Sequence, residues 1–324
     1  MIFEACHNDR PWRFSPFANH ARYTCFLIAS ILSIASIVCF HGLSLHAQEP
    51  STDESQSESD SSVLIAFPNE SSVALPKFQL QPGQSAADKK LALEAIAGKI
   101  GWKRFSFKGL SSPVRIEIEE LAAEQSRIGY SIRSAYILYA SREQLEDRNL
   151  METSFGKPKA PNDPTRKLDQ LAMNQLLPSD LELEESTEDK KTNYLWLELP
   201  LLKKILIRSV LAADNANGED FFSLNWQLDP RFSHPDVQGK YRNRWSKLST
   251  NQLGKIVEGA SQSYLGMGGA LRIVATEQEP DQWLVESVLV IHEPEEWFRH
   301  GKYLRSKLGA ALQESAKSFR RKLR

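Results

Sequence analysis

The stretch from His292 to His300, HEPEEWFRH, opens with the His-Glu pair that zinc hydrolases use. Such a site needs its second histidine four residues after the first on a helix, so that both imidazoles reach one ion while the glutamate acts as base. Here the second histidine comes eight residues on, and Pro294 disfavours a helical conformation at Glu293. Pro294 followed by Glu295 and Glu296 instead predicts a strand end, a turn and a helix start, with carboxylates near the positive end of the helix dipole. Beyond residue 47 the histidines are His234, His292 and His300, so a three-histidine metal site would recruit all of them. They are the candidate ligands, and no metal or other cofactor is expected.

Nucleophilic catalysis has no visible candidate. The three cysteines, Cys6, Cys25 and Cys39, lie within or before an apolar N-terminal run, and no G-x-S-x-G elbow occurs. Paired carboxylates stay open, because acidic residues are plentiful and their separation in space is not written in the sequence.

Other stretches look like sites and have simpler readings. DNANGED, Asp214 to Asp220 without the interval of a calcium loop, predicts a hairpin turn at Asn217-Gly218. SYLGMGGALRI places its glycines before a strand, the reverse of a phosphate cradle, and predicts permissive backbone at a tight entry to a sheet. KYRNRWSK interleaves cations with Tyr241 and Trp245, which are candidate aromatic contacts for sugars or single strands. The segment Lys302 to Arg324 carries eight basic residues against one glutamate, and Lys317, Arg320, Arg321 and Lys322 are candidate anion contacts.

The elements that would position these residues follow from local patterns. Ser85 to Asp88 has capping-box spacing and opens a helix with Leu93, Ile96, Ala97 and Ile100 on one side, closed by Gly101. Phe105 and Phe107 share the inward side of one predicted strand, and Val114, Ile116 and Ile118 that of the next. Tyr130 to Tyr139 is another apolar segment, followed by a short helix capped from Ser141. Tyr194 to Leu199 is a strand whose alternate residues suggest cover on both faces. Ile205 to Ala212 pairs with Phe221 to Leu228, and Leu271 to Thr276 with Trp283 to Ile291. The last helix runs from about Tyr303 to Leu323 with Leu304, Leu308, Ala311, Leu312, Ser315 and Phe319 on one face. Three strand-turn-strand stretches share a plan, which a duplication or the common physics of amphipathic hairpins would produce. Strands joined by short turns pair antiparallel, so the class is α+β: a predominantly antiparallel sheet with a long C-terminal helix packed on it.

The organisation around these elements starts with TCFLIASILSIASIVCF, residues 24 to 40, uncharged and preceded by Arg10, Arg13 and Arg22. It reads as a signal peptide cut after Ala47 or as an uncleaved signal-anchor, since its length is near the minimum of about 17 residues for a span. Both place the bulk of the chain outside the cytoplasm, whether periplasmic, secreted or anchored. Residues 48–84 are expected to be an acidic, Ser-rich, disordered spacer, and 151–192 a polar linker or insertion with a short helix from Arg166 to Leu177. Between and after them lie an N-terminal α+β part, 85–150, and a C-terminal antiparallel part with the terminal helix, 193–324. The net charge of the 324-residue chain is −1, which gives no whole-molecule attraction to nucleic acid.

The leader ending LHAQEP, the paired hairpins, the DPRF at 229–232 and the closing EPEEWFRHGKYLRSKLGAALQESAKSFRRKL together resemble exported proteins encoded in planctomycete bacteria. That group carries no assigned activity, so the resemblance implies a compartment and no catalytic residues. The expectation is a non-catalytic binding or interaction module of the cell envelope. Its partner would be an apolar small ligand enclosed beneath the last helix, as in helix-grip proteins, or an anionic envelope component. A membrane would be met only through an uncleaved N-terminal segment. The alternatives are a hydrolase using carboxylates or the few histidines, and docking to an anionic surface through the basic helix.

Overall fold

A computed structural model of the chain describes residues 63–68, 71–81, 83–123, 126–147, 160–163, 165–183, 192–234, 236, 239–298 and 302–324. The leader, the Ser-rich tract 48–62 and His300 lie outside the described residues.

The elements in chain order are β1 (Leu64–Ala66), β2 (Ser72–Ala74), α1 (Ala86–Ala97), α2 (Trp102–Phe105), β3 (Arg115–Ala123), β4 (Ser126–Tyr139) and α3 (Arg142–Glu146). There follow β5 (Ala172–Leu176), β6 (Asn193–Leu201), β7 (Ile205–Asn217), β8 (Phe221–Leu228), β9 (Arg244–Thr250), β10 (Ile256–Ser263), β11 (Met267–Ala275), β12 (Gln282–His292) and α4 (Tyr303–Lys322). Strands β3 to β12 form one ten-stranded sheet in which every neighbouring pair is antiparallel. The fold is therefore α+β, and the pairing of β4 with β12 puts strands from both halves of the chain in the same sheet.

β7, with 13 residues, is the branch point. β6 pairs along one of its edges, while the other edge serves β9 through Ile205 to Arg208 and β8 through Leu211 to Asn217. Asn243 fills the fork, fully buried. Its amide oxygen accepts from the Val210 N–H at 2.8 Å, and its Nδ2 donates to Asp229 O at 2.7 Å and Ser233 Oγ at 2.8 Å. A buried backbone group at such a fork has no ladder partner, and one amide side chain supplies it.

The two faces of the sheet are covered differently. α4 lies on the inner face with Leu304, Leu308, Ala311, Leu312 and Phe319 buried, as its apolar stripe predicts. Beneath it the core is filled by large side chains, among them Tyr130, Tyr136, Trp226, Trp245 and Trp283. On the outer face α1 and Phe105 cover Ala135, Ile137, Val274 and Leu284. The β1–β2 hairpin covers Ala270, Val288 and Val290, and residues around Leu176, Leu181 and Phe232 cover Trp196 and Val210. Trp196 is thus buried on a strand covered on both sides, as expected. Among the described residues, no helix is long and apolar enough to cross a membrane.

Local signals held where capping was explicit. Ser85 Oγ accepts from the Asp88 N–H, and Ser141 and Gln144 form a complete capping box. Several expectations need correction. Residues 63–68 and 71–81 form a folded strap, because Ile65, Phe67, Leu75 and Leu80 bury apolar surface that the spacer reading overlooked. Phe105 and Phe107 do not share a strand face: Trp102–Phe105 is a helical turn, with Phe105 buried and Phe107 59 % exposed. The α-helical part of α1 ends at Ala97, but a 3-10 turn, Gly98–Ile100, carries it on to the expected stop at Gly101, with Ile100 packed on the same cluster as Leu93 and Ile96. The helix expected from Arg166 to Leu177 is replaced by β5, which pairs with β6 and buries Ala172, Met173 and Leu176. Pro294 opens only a single turn, closed by the Trp297 N–H on Pro294 O, and the helix begins at Tyr303.

Candidate functional site

The His292 corner is an aromatic joint. His292 ends β12 with the Phe67 ring edge-on at 5.6 Å and Tyr264 stacked at 6.2 Å, and Trp297 stacks on the other ring contact of Tyr264 at 5.4 Å. Burial pushes the His292 pKa down to about 4, against a backbone hydrogen bond to Leu265 and the charge of Glu296. Burial, and then the charge of Glu293, push Tyr130 up to about 12. Glu293 is in turn held by Arg127 at 3.0 Å. Near neutrality His292 is uncharged and Tyr130 protonated, so neither group is poised to exchange a proton. His234 lies elsewhere, exposed in the loop after β8, with Nδ1 3.3 Å from Asp236 Oδ2. Among the described residues, no group of three or more His, Cys, Asp or Glu is placed to hold a metal ion.

The feature that stands out lies on the outer face, on the part of β6, β7, β9 and β10 beside the covered Trp196 and Val210. Antiparallel register puts Glu198, Arg208, Arg244 and Ser263 directly opposite one another in turn, so four strands contribute one row of side chains to one face. Glu198 is almost fully buried and takes Arg166 Nη2 at 2.6 Å, Arg208 Nε at 3.3 Å and the Trp196 indole N–H at 3.3 Å. Arg208 Nη1 also donates to Glu258, which accepts from Ser246 Oγ at 2.8 Å.

Glu198 in the row and Glu258 beside it are therefore engaged by Arg166, Arg208 and Ser246. Burial opposes the charge on Arg208, but the hydrogen bond to Glu258 and the charge of Glu198 more than offset it and raise its pKa. Arg244, next in the row, is half-buried and hydrogen-bonded to neither carboxylate. Burial, and then the neighbouring Arg208 charge, lower its pKa from the usual arginine value, yet a guanidinium keeps its proton in any physiological range. Arg242 adds a second cation: its Nη2 donates to Ser263 Oγ at 2.7 Å, while its buried Nε has no protein partner among the described residues. The face thus gathers four arginines around two carboxylates, and Arg244 feels the charges of Glu258 and Glu198 without a hydrogen bond to either among the described residues. Desolvated guanidinium forks with spare donors are suited to carboxylate, phosphate or sulfate.

The other expected contact residues separate. Trp245, predicted as an aromatic contact, is 2 % exposed and points into the inner core, because it alternates with Arg244 and Ser246 across the strand. Tyr241 stays half-buried at the border of the arginine face, edge-on to Trp196 at 5.4 Å, with Lys240 over its ring. Arg320 leaves the set of exposed anion contacts, since its guanidinium donates to the carbonyls of Ile137, Ser112 and Pro113. Lys317, Arg321 and Lys322 are exposed. Sequence reasoning missed Arg208 and Arg244 as a pair. The available signal was the alternation R-x-R-x-S at 242–246, which places Arg242, Arg244 and Ser246 opposite Trp245.

Fold and face together define a class: an antiparallel α+β sheet domain, sealed on one side by its C-terminal helix and carrying an arginine-rich face on the other. Compared with protein-family models and with curated proteins, the chain matches none.

Proposed function

We propose that this chain is an exported, non-catalytic binding module of the cell envelope, and that the arginine face takes an anionic group of an envelope component. Export rests on the basic, apolar and polar order of the leader. Binding rests on one observation: the half-buried Arg244 stands in a row whose carboxylate, Glu198, and its neighbour Glu258 are already committed to other donors. A cation held this way gains from an external anion, because burial has removed part of its water and, among the described residues, neither neighbouring carboxylate is hydrogen-bonded to it. A hydrolase is less well supported. The buried carboxylates Glu198 and Glu293 are held by arginines, and Glu286 by backbone amides, instead of facing one another across a cleft. An apolar ligand beneath α4 competes with the side chains that fill that space.

Titration of the full chain with dextran sulfate, followed by fluorescence anisotropy, tests this reading. Arg244→Gln is expected to weaken binding about tenfold, the value of a charge-assisted pair, and the affinity of the unaltered chain should fall steeply with salt. Equal affinity of the variant, or binding indifferent to salt, would remove the arginine face as the binding site. Cell fractionation tests the compartment, and recovery of the chain in the cytoplasm would end the export reading.

A further inference from the structure

A second surface is built on a different principle. From Ala95 to Ile116 the chain has no acidic residue but carries Lys99, Lys103, Arg104, Lys108 and Arg115. Arg115 is committed to Glu117 and to the carbonyls of Ala95 and Ile96, whereas Lys99, Lys103, Arg104 and Lys108 are exposed. In their midst Phe107 is 59 % exposed, and Trp102 is half-buried. Together with Ile100, Gly101, Lys103 and Arg104 they line a surface hollow of about 460 Å³.

The knuckle that presents them is fixed in place. Phe105 is fully buried beneath α1. The Ser106 N–H bonds Trp102 O at 2.8 Å, Tyr139 Oη donates to Ser106 O at 2.6 Å, and Ser112 Oγ donates to Gly109 O at 2.8 Å. Turning Phe105 into the core forces Phe107, two residues later, out of it. With the backbone this well satisfied, the exposure of Phe107 is not a consequence of fraying. Of the nearby acids, Glu279 borders the patch through its hydrogen bond with Tyr139, and Glu277 is taken by Lys89.

We infer that this knuckle docks on an anionic phospholipid bilayer, with Phe107 and Trp102 at the headgroup level and Lys99, Lys103, Arg104 and Lys108 on the lipid charges. An apolar centre with a cationic rim matches the chemistry of that interface. Aromatic rings partition to the headgroup region, and flanking Lys and Arg stems lie along it with their charges on anionic lipid. A soluble polyanion would satisfy the cations but leave Phe107 in water. The site is separate from the arginine face and does not depend on it.

The test uses the full chain and vesicles with brominated acyl chains, made of phosphatidylglycerol or of phosphatidylcholine, with tryptophan fluorescence as the readout. Among the described tryptophans Trp102 is the half-buried one, and Trp196, Trp226, Trp245, Trp283 and Trp297 are buried. The difference between the unaltered chain and Trp102→Phe therefore isolates Trp102, and any contribution of the N-terminal apolar run cancels. Phosphatidylglycerol vesicles are expected to quench Trp102, and phosphatidylcholine vesicles are not. In Lys103→Gln/Arg104→Gln the lipid concentration at half-quenching should rise about 30-fold, at about fivefold per cation, and Phe107→Ser should raise it about tenfold. Arg244→Gln should leave this quenching unchanged while it weakens dextran sulfate binding. Quenching equal on the two lipids, quenching insensitive to the paired substitution, or capture by dextran sulfate through Lys103 and Arg104 without quenching would each overturn the inference.

Discussion

Arg320 and Arg244 carry the same side chain into opposite situations. The guanidinium of Arg320 spends its donors on the carbonyls of Ile137, Ser112 and Pro113 and lies over the Tyr136 ring, so it ties α4 to the sheet. That of Arg244 sits beside Arg208, within reach of the charges of Glu258 and Glu198 but, among the described residues, hydrogen-bonded to neither. Sequence position did not distinguish them, because both occur in basic runs. What separates them is the register of β7 with β9 in one case and the placement of loop carbonyls in the other. His292 makes a prediction at the same scale. Its pKa falls from 6.5 in the open chain to about 4 in the folded one, through burial. Neutral His292 therefore contributes full stability above pH 6.5, and that contribution is lost as pH falls toward 4, by up to about 3 kcal/mol. Glu258, whose pKa is lowered from 4.5, acts below that value, whereas Glu286, whose pKa burial raises from 4.5, acts above it with the opposite sign, so the histidine is read as the difference between the unaltered chain and His292→Gln. Between pH 4.5 and 6.5 urea midpoints should rise with pH more steeply in the unaltered chain than in His292→Gln. A slope unchanged by the substitution would contradict the burial account.

At the scale of elements, legibility followed how local the determinant was. The Ser85 and Ser141 caps, the stripe of α4 and the β11–β12 hairpin are specified by residues a few positions apart, and the structure bears them out. β5 is not of this kind. Leu171 to Leu177 has helix-compatible composition, and only the edge of β6 makes Ala172 to Leu176 a strand. The α2 turn misled for the converse reason, since Phe105 and Phe107 imitate strand alternation while facing different surroundings. The glycines of β11 show the same dependence on neighbours. Gly266, with φ +88°, answers the expected need for permissive backbone at the sheet entry. Gly269 answers a different need: a Cβ there would lie 2.7 Å from Val288 O and 2.8 Å from the Trp226 ring. Gly269→Ala is accordingly expected to destabilise the fold by about 1–3 kcal/mol, the usual result of overpacking. A loss below 0.5 kcal/mol in denaturant unfolding would mean that the Trp226 ring moves aside at little cost.

For the whole molecule, the division of labour between the two faces decides what remains open. α4 closes the inner face, whereas the outer face is closed piecemeal, by α1, by the 176–183 segment and by the strap of residues 63–68 and 71–81. The strap is fastened by polar contacts as well as by its apolar side chains. The Glu286 carboxylate, 2 % exposed, accepts from the Gln79 N–H at 3.2 Å and the Leu80 N–H at 3.1 Å. Its cross-strand partner Arg272 lies over the Phe78 ring at 4.7 Å and bonds Gln81. Burial raises the Glu286 pKa, and the two amide hydrogen bonds work against that shift, so the carboxylate is tolerated in the sheet because the strap is on it. Glu286→Ala removes the acceptor for two N–H groups at once, the buried one of Leu80, worth about 1–3 kcal/mol when left unpaired, and the half-buried one of Gln79. The loss should fall first on the strap, because β11 and β12 keep their ladders on both sides. Hydrogen exchange at Gln79 and Leu80 should accelerate at least about tenfold, a change of about 1.4 kcal/mol in the opening equilibrium, with the amides of β11 little changed. Acceleration spread equally over β11 and β12 would show that strap and sheet open as one cooperative unit. The outer face would then be closed by the fold as a whole, and not by a separately fastened piece.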